Sequence, residues 1–99
     1  MVEREVIWTK RALTDRTKLF DYWFEKTGST DYPIKLNQIF SATIANLLIL
    51  PESGILFDRK LSIRFTLVRY FRIYYSYTEQ NVIVLAIWDT RRNPKTMDL

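Results

Sequence analysis

The sequence of 99 residues contains neither cysteine nor histidine. The lack of cysteine excludes disulfide bonds and thiolate metal sites, and it fits a reducing cytoplasm, where we expect the protein to reside. The lack of histidine removes the most common general base and the most common metal ligand. We therefore expect no metal site and no cofactor, and any catalysis would have to depend on other side chains.

Long apolar runs are also scarce, as are glycine and proline, which interrupt helices and strands. The longest apolar runs, residues 44–50 and 82–88, fall well short of the roughly 20 residues of a membrane span. The N-terminus lacks the cationic start and apolar stretch of a signal peptide, so we expect no membrane association or export. With only two glycines and three prolines and 47% apolar residues, the chain is expected to fold as one domain spanning residues 1–99.

The net charge of +4 is unevenly distributed along the chain. Residues 1–58 carry 7 basic and 8 acidic side chains, whereas residues 59–99 carry 8 basic and 3 acidic ones. An excess confined to one half indicates a basic surface and a polyanionic or acidic partner. Such an excess also occurs merely as a solubility feature, so composition alone leaves both interpretations open.

Hydrophobic periodicity predicts an N-terminal strand followed by a helical hairpin. Residues 6–8 are a short run of strand formers, and Thr9 can cap a helix over residues 10–27. Within that helix, apolar residues recur at steps of three and four, and Gly28 supplies a stop signal. Residues 32–48 keep the same spacing. Two helices joined by a short turn favour an antiparallel hairpin.

After a turn at residues 51–54 the period changes to two. Apolar residues alternate with polar ones over residues 61–67 and 71–77, and residues 82–88 are uniformly apolar. These runs predict a three-stranded antiparallel meander, and hence a two-layer α+β fold in the order β-α-α-β-β-β. The helices are expected to cover the sheet face that carries Ile63, Phe65, Ile73 and Tyr75.

Cationic and aromatic side chains are predicted to share the opposite face of the sheet. By the alternation, Arg64 and Arg72 leave that face together with Tyr70 and Tyr74, and Arg91 reaches the same rim. Guanidinium groups pair with phosphate and phenol rings stack on bases, so this surface suits a single RNA strand. It would also accept an acidic peptide. The alternative is that the arginines pair with nearby carboxylates and the tyrosines are ordinary strand formers.

The motifs, taken in order, resemble the RelE/ParE superfamily of type II toxin–antitoxin toxins, which includes plasmid stabilisation proteins. Residues 71–75, Phe-Arg-Ile-Tyr-Tyr, resemble the Tyr-Arg-(Ile/Val)-X-Tyr strand of these toxins, and residues 87–94 resemble their closing strand with its Arg-Arg-Asn-Pro exit. Residues 6–9 resemble their opening strand. The other matching positions are Ala12, Asp15, Leu19, Tyr22, Pro51, Gly54 and Arg64.

The resemblance implies a toxin that a cognate antitoxin holds inactive. RelE-like members cut messenger RNA in the ribosome, whereas ParE-like members bind DNA gyrase. By position, Arg72 and Arg91 would contact the scissile phosphate, Arg64 would assist, and Tyr74 would orient or stack a base. Further contacts with RNA or another target are expected from Lys60, Arg69, Tyr70, Arg92 and Lys95.

The sequence departs from the nuclease pattern because it lacks histidine and has a short tail, on which nuclease members often place a proton-transfer group. Lys60 and Lys95 could partly substitute, whereas Asp15 and Glu25 are interpreted as solvated. Loss of one proton-transfer group typically costs about 10²–10⁴-fold in rate. Because such a loss lowers the rate without abolishing the reaction, the leading hypothesis remains an mRNA endoribonuclease that depends on the ribosome. The alternatives are a non-enzymatic gyrase inhibitor and a degenerate antitoxin-binding module without toxicity.

Overall fold

The computed structural model describes residues 3–91. Its elements, in chain order, are strand β1 (Glu5–Trp8), helices α1 (Lys10–Thr27) and α2 (Asp31–Ile49), a 3-10 turn (Pro51–Ser53), and strands β2 (Ile55–Asp58), β3 (Ile63–Val68), β4 (Phe71–Tyr77) and β5 (Asn81–Asp89). The predicted α+β fold, with a strand and two helices before the remaining strands, is confirmed.

The five strands form one mixed sheet in the order β1-β5-β4-β3-β2. Strands β2 to β5 pair antiparallel with their neighbours, whereas β1 pairs parallel with β5. The predicted three-stranded meander is thus extended by β2 at one edge and by β1 at the other. Strand β2 was not predicted, because four residues that directly follow a turn are too few to show an alternating pattern.

Both ends of α1 are fixed as the sequence predicts. The Thr9 hydroxyl accepts a hydrogen bond from the Ala12 amide at 3.1 Å, which satisfies one of the unpaired donors of the first turn. At the other end, Gly28 adopts a left-handed conformation with φ of 68°, and its amide donates to the Phe24 carbonyl at 2.8 Å.

Neither helix of the described residues 3–91 combines the length and the apolar character that a membrane span requires.

The two helices cover one face of the sheet. Leu36 and Phe40 of α2 pack on Phe71 and Ile73 of β4 and on Val84 of β5, and all five side chains are almost completely buried. The rings of Phe40 and Phe71 meet edge to face with their centroids 5.7 Å apart. Each large apolar side chain buried in this way contributes about 1.5–3 kcal/mol to folding, so this layer dominates the stability of the domain.

The other face of the sheet carries a second buried cluster, formed by Ile63, Phe65, Tyr74, Ala86 and Trp88. The prediction that Ile63 and Phe65 face the helices is therefore wrong. Phe65 lies opposite Tyr74 across the β3–β4 pair, and directly opposite residues share a face. Because β3 carries apolar residues on both faces, its alternation does not reveal which face the helices cover.

Candidate functional site

Arg64 and Arg72 point to opposite faces of the sheet. Arg64 lies opposite Tyr75, which packs with Leu47 of α2, so Arg64 is on the face that the helices cover. Arg72 lies opposite Leu67, on the other face. The prediction that both arginines leave one face is wrong. In the register of the β3–β4 hairpin, the partner of Arg72 is Leu67, which lies three residues from Arg64 on β3. Residues an odd number of positions apart on a strand point to opposite faces.

Arg64 holds the loop that precedes β2 against the sheet. Its Nη1 donates to the carbonyl oxygens of Gly54 at 2.9 Å and of Glu52 at 3.3 Å. The neighbouring Tyr75 hydroxyl donates to the Pro51 carbonyl at 2.5 Å and accepts from the Gly54 amide at 3.0 Å. Arg64 thus contributes to a structural junction, and two of its interactions go to backbone carbonyls.

Tyr74 is enclosed by other aromatic rings. The centroids of Phe57 and Phe65 lie 4.9 and 5.5 Å from that of Tyr74, and only 2% of Tyr74 is exposed. A ring enclosed in this way offers no free face to a nucleotide, which argues against the stacking role predicted for Tyr74.

Arg72 packs against the same aromatic cluster. Its guanidinium carbon lies 4.4 Å from the centroid of the Phe65 ring, and its Nη1 donates to the Tyr74 hydroxyl at 3.3 Å. Its Nε is buried and has no hydrogen-bond partner within the part of the chain that the structure describes. Arg72 is therefore fixed by a cation–π contact and one weak hydrogen bond, and it is only partly accessible to a ligand.

Arg91 lies at the end of β5 and forms a two-point ion pair with Asp89. The distances are 3.0 Å from Nε to Oδ1 and 2.7 Å from Nη2 to Oδ2. Hydrogen bonding to this carboxylate raises the pKa of Arg91 above its ordinary value. The Arg91 guanidinium carbon is also 5.1 Å from the Tyr70 ring centroid and 6.0 Å from that of Trp23.

Tyr70 lies in the two-residue turn between β3 and β4. Its carbonyl accepts hydrogen bonds from the amide of Thr90 at 2.7 Å and from the hydroxyl of the same residue at 2.8 Å. These bonds fix the turn to the end of β5, while 57% of Tyr70 remains exposed. The turn is therefore held in place, and its Tyr70 ring is exposed beside Arg91.

The remaining predicted cations do not converge either. Lys60 lies in the turn before β3, and Arg69, with a φ of 55°, lies in the turn after it. The six residues of β3 separate these turns by about 20 Å at ~3.3 Å per residue. Arg92 and Lys95 lie outside the described residues. In residues 3–91, the predicted cations therefore fall into two groups at opposite ends of the sheet.

A cavity of about 370 Å³ lies beside the end of the sheet that carries Arg91. Its lining residues are Asp15, Lys18, Leu19, Tyr22, Phe71, Ile87 and Asp89. The sequence analysis did not identify this site, and Asp15 is not simply solvated as predicted. The Asp15 carboxylate accepts from the Ile87 amide at 3.0 Å and pairs with Arg11 at 3.5 Å, which ties α1 to β5.

Residues 6–94 match the family model described as the ParE toxin of the type II toxin–antitoxin system, parDE. The chain belongs to the ParE toxin family. Its fold is similar to a solved structure titled "Chromosomal ParDE TA system from P. aeruginosa", with a TM-score of 0.69 and 18% identity over 86% of this chain and 94% of that chain. Among curated proteins, none matches the sequence.

In this ParE-family chain the end of the sheet around Arg91 is suited to binding a protein. Tyr22 and Tyr70 are 52% and 57% exposed, and half of the Arg91 side chain is accessible. Tyrosine and arginine are among the residues that contribute most binding energy at protein interfaces, especially beside a pocket that excludes water. Leu19, Phe71 and Ile87 form the apolar part of the cavity beside these residues.

Proposed function

We propose that this member of the ParE family is a non-enzymatic toxin that binds DNA gyrase and inhibits it until a cognate antitoxin neutralises the toxin. Membership of the ParE family favours gyrase over the ribosome as the target. The observation that carries the proposal is the separation of the arginines, because Arg64 and Arg72 lie on opposite faces of the sheet.

Cleavage of RNA by this fold would depend on stabilising the charge of a pentavalent phosphate. Such stabilisation requires donors within about 3 Å of the developing charge, held in place before the reaction. Arg64 is engaged with backbone carbonyls on one face, and Arg72 is packed on an aromatic ring on the other. Lys60 and Arg69, which lie in turns about 20 Å apart, would also interact weakly with a common phosphate, since physiological salt screens charges beyond about 8 Å.

Binding of gyrase is assigned to the surface formed by Tyr22, Tyr70 and Arg91 around the cavity, with Arg69 beside it. The backbone of the Tyr70 turn is anchored to the end of β5 by Thr90, so little backbone conformational entropy is lost when the turn becomes buried against a partner. The ion pair with Asp89 orients Arg91 in the same way. Lys18, one of the residues that line the cavity, forms no ion pair within residues 3–91, so its positive charge is available to an acidic group of the target.

A supercoiling assay with purified gyrase and purified toxin tests the proposal. Supercoiling should decrease as toxin is added, and the variants Tyr70→Ala and Arg91→Ala should require at least tenfold more protein, which corresponds to about 1.4 kcal/mol each. Lys35→Ala, which removes an exposed cation from α2, is the matched control and should behave like the wild-type toxin.

Unchanged supercoiling at micromolar concentrations of wild-type toxin would contradict gyrase inhibition. In that case, programmed ribosomes and primer extension distinguish the other two hypotheses. New 5′ ends in the message would support mRNA cleavage. If no new ends form and expression without an antitoxin leaves growth unaffected, the chain is a binding module without toxicity.

A further inference from the structure

Exposed apolar side chains are concentrated around one edge of the sheet. Of the 14 large hydrophobic residues exposed in residues 3–91, seven lie between residues 49 and 67, around β2. Within the strand itself, Ile55, Leu56 and Phe57 are consecutive and are 55%, 40% and 48% exposed. A cluster of this kind, unlike single apolar residues scattered over a surface, indicates an interaction site.

The apolar side chains of β2 lie on both faces of the sheet. Leu56 is opposite Arg64, on the face that the helices cover. Ile55 is opposite Phe65, on the other face, where the Phe57 ring also packs against the Phe65 ring. A helix laid against one face would cover only part of this cluster. The cluster is covered completely by another strand whose own side chains are apolar on both faces.

The backbone of β2 has no partner on its outer side within residues 3–91. The strand stands last in the sheet and pairs only with β3. The outward N–H and C=O groups of an edge strand are a template on which another strand can pair. The bulge at Phe57 interrupts the regular strand, so a paired strand would form few backbone hydrogen bonds and side chains would supply most of the contact.

The charged side chains around β2 differ between its two ends. Glu52 precedes the strand, and Asp58 is its last residue. Arg59 and Lys60 follow directly, so residues 58–60 carry one net positive charge. None of these four side chains forms an ion pair within residues 3–91, although the Asp58 carboxylate accepts from the Leu61 amide at 3.0 Å. The start of the strand is therefore negative and its end is positive.

We infer that two copies of this chain associate through β2, with the two strands antiparallel about a two-fold axis that passes beside Leu56. In an antiparallel pair, the start of one strand lies beside the end of the other. Positions equally far on either side of Leu56 then meet. Ile55 lies beside Phe57 of the second copy, and Glu52 lies near Lys60 of that copy. The two-fold axis makes every such contact twice.

The charges favour this register over its two neighbours. Centring the pair on Ile55 would bring Glu52 beside Asp58 of the second copy, and like charges opposite each other are destabilising. Centring it on Phe57, the bulged residue, would leave Glu52 beside the uncharged Ser62. Among the three registers, only the proposed one brings opposite charges together. A second copy of the chain therefore fits both the charges and the apolar faces of this edge.

The dimer leaves the surface around Arg91 accessible. Arg91 follows β5, and both β3 and β4 lie between β5 and β2 in the sheet. Each dimer would thus carry two copies of the surface that is proposed to bind gyrase. Self-association does not depend on which target the toxin binds, so its failure and the failure of gyrase inhibition are separate results.

Sedimentation of the purified full-length toxin over a range of concentrations tests for the dimer. An interface built on one short strand is small, so we expect a dissociation constant in the micromolar range. Leu56→Lys places two like charges opposite each other at the centre of the pair and should weaken association about tenfold or more. Ile7→Lys adds the same charge to β1, at a residue that is 46% exposed, and should leave association unchanged.

Exchanging the charges tests the register. Glu52→Lys should weaken association about tenfold, because the reversal turns an attraction into a repulsion at both ends of the pair. Lys60→Glu should do the same, and the double variant that carries both substitutions should recover wild-type association. Glu5→Lys, on β1, makes the same change in net charge as Glu52→Lys and is the matched control. A double variant that does not recover would overturn the proposed interface.

Hydrogen exchange on the wild-type toxin gives a measurement that needs no substitution. The amides of residues 55–58 should gain protection as the toxin concentration rises, and those of residues 5–8 should not. A toxin that stays monomeric at about 100 μM, or a dimer without new protection of residues 55–58, would overturn the inference. Protection that appears only after the antitoxin is added would assign this edge to the antitoxin and also overturn self-association. If a variant fails to melt cooperatively, the exchange measurement decides.

Discussion

Replacing Tyr75 with phenylalanine removes one hydroxyl group from the junction between the sheet and the end of α2. Tyr75 is completely buried, and its hydroxyl donates to the Pro51 carbonyl at 2.5 Å and accepts from the Gly54 amide at 3.0 Å. The phenyl ring would fill nearly the same volume, so the substitution isolates the two hydrogen bonds from packing. It therefore measures how strongly the loop before β2 is tied to the sheet.

The expected loss follows from the two partners that the hydroxyl leaves behind. A typical intramolecular hydrogen bond contributes about 0.5–1.5 kcal/mol net, and a buried group left without a partner costs about 1–3 kcal/mol. We expect the free energy of unfolding to fall by about 2–3 kcal/mol for Tyr75→Phe. For a domain of this size, each kcal/mol corresponds to roughly 4–8 °C, so Tm should fall by about 8–24 °C.

Urea unfolding followed by circular dichroism, with Tyr70→Phe as the control, measures this difference. Tyr70 is a tyrosine with 57% exposure, so removal of its hydroxyl should change the free energy of unfolding by less than about 0.5 kcal/mol. A loss for Tyr75→Phe no larger than that of Tyr70→Phe would refute the reasoning. It would mean that loop 51–54 finds other partners when the hydroxyl is absent.

The same hydroxyl also makes stability dependent on pH. Burial raises the pKa of Tyr75 above its ordinary value near 10, although the Gly54 amide and Arg64 act in the opposite direction. The folded state therefore holds this proton more tightly than the unfolded state does. Its contribution is complete below about pH 10 and is lost as the pH rises from there through the pKa of the folded state. Urea unfolding of the wild-type protein at pH 8 to 11 should show a decline in the free energy of unfolding with rising pH, and Tyr75→Phe should show a smaller decline. The same pH dependence in both proteins would contradict this.

Three further substitutions test the same junction from the side of Gly54, the start of α1, and the contact between α1 and β5. Gly54→Ala would bring a Cβ to 2.8 and 2.9 Å from two ring carbons of Tyr75, and thermal melting should show a destabilisation of about 1–3 kcal/mol unless the loop can move away. Thr9→Ala removes the N-cap of α1, and chemical denaturation should report a loss of about 1 kcal/mol, with Thr9→Ser retaining most of the stability. Asp15→Ala leaves the Ile87 amide without its acceptor; about 1–3 kcal/mol should be lost, and faster hydrogen exchange at Ile87 is the decisive measurement.

The parts of the fold that local chemistry determines could be predicted from the sequence. Thr9 and Gly28 mark the two ends of α1 because a hydroxyl cap and a left-handed glycine act within a few residues of the chain. The apolar run of β5 indicated an interior strand, and it lies between β1 and β4. For the same reason, the order of strands and helices could be predicted with only β2 missing.

The candidate site could not be predicted in the same way, because it depends on register. A two-residue turn at Arg69 and Tyr70 fixes which residues of β3 and β4 face each other, and a shift of one residue exchanges the faces. Ile63 and Phe65 are apolar although they face away from the helices. The hydrophobic pattern of β3 therefore could not indicate which face of the strand the helices cover. The cavity beside Arg91 forms between α1 and strands that are distant in sequence, and no local motif marks it.

The parallel pairing of β1 with β5 affects how the toxin is made. Residues 5–8 hydrogen-bond to a strand that begins at residue 81, so β1 cannot pair with β5 until nearly the whole described chain has been synthesised. Two residues of β5, Val84 and Ile87, also belong to the core beneath the helices. A nascent chain therefore lacks both a completed sheet and a completed core until β5 has left the ribosome, and prematurely terminated chains should be substrates for proteases rather than partial toxins.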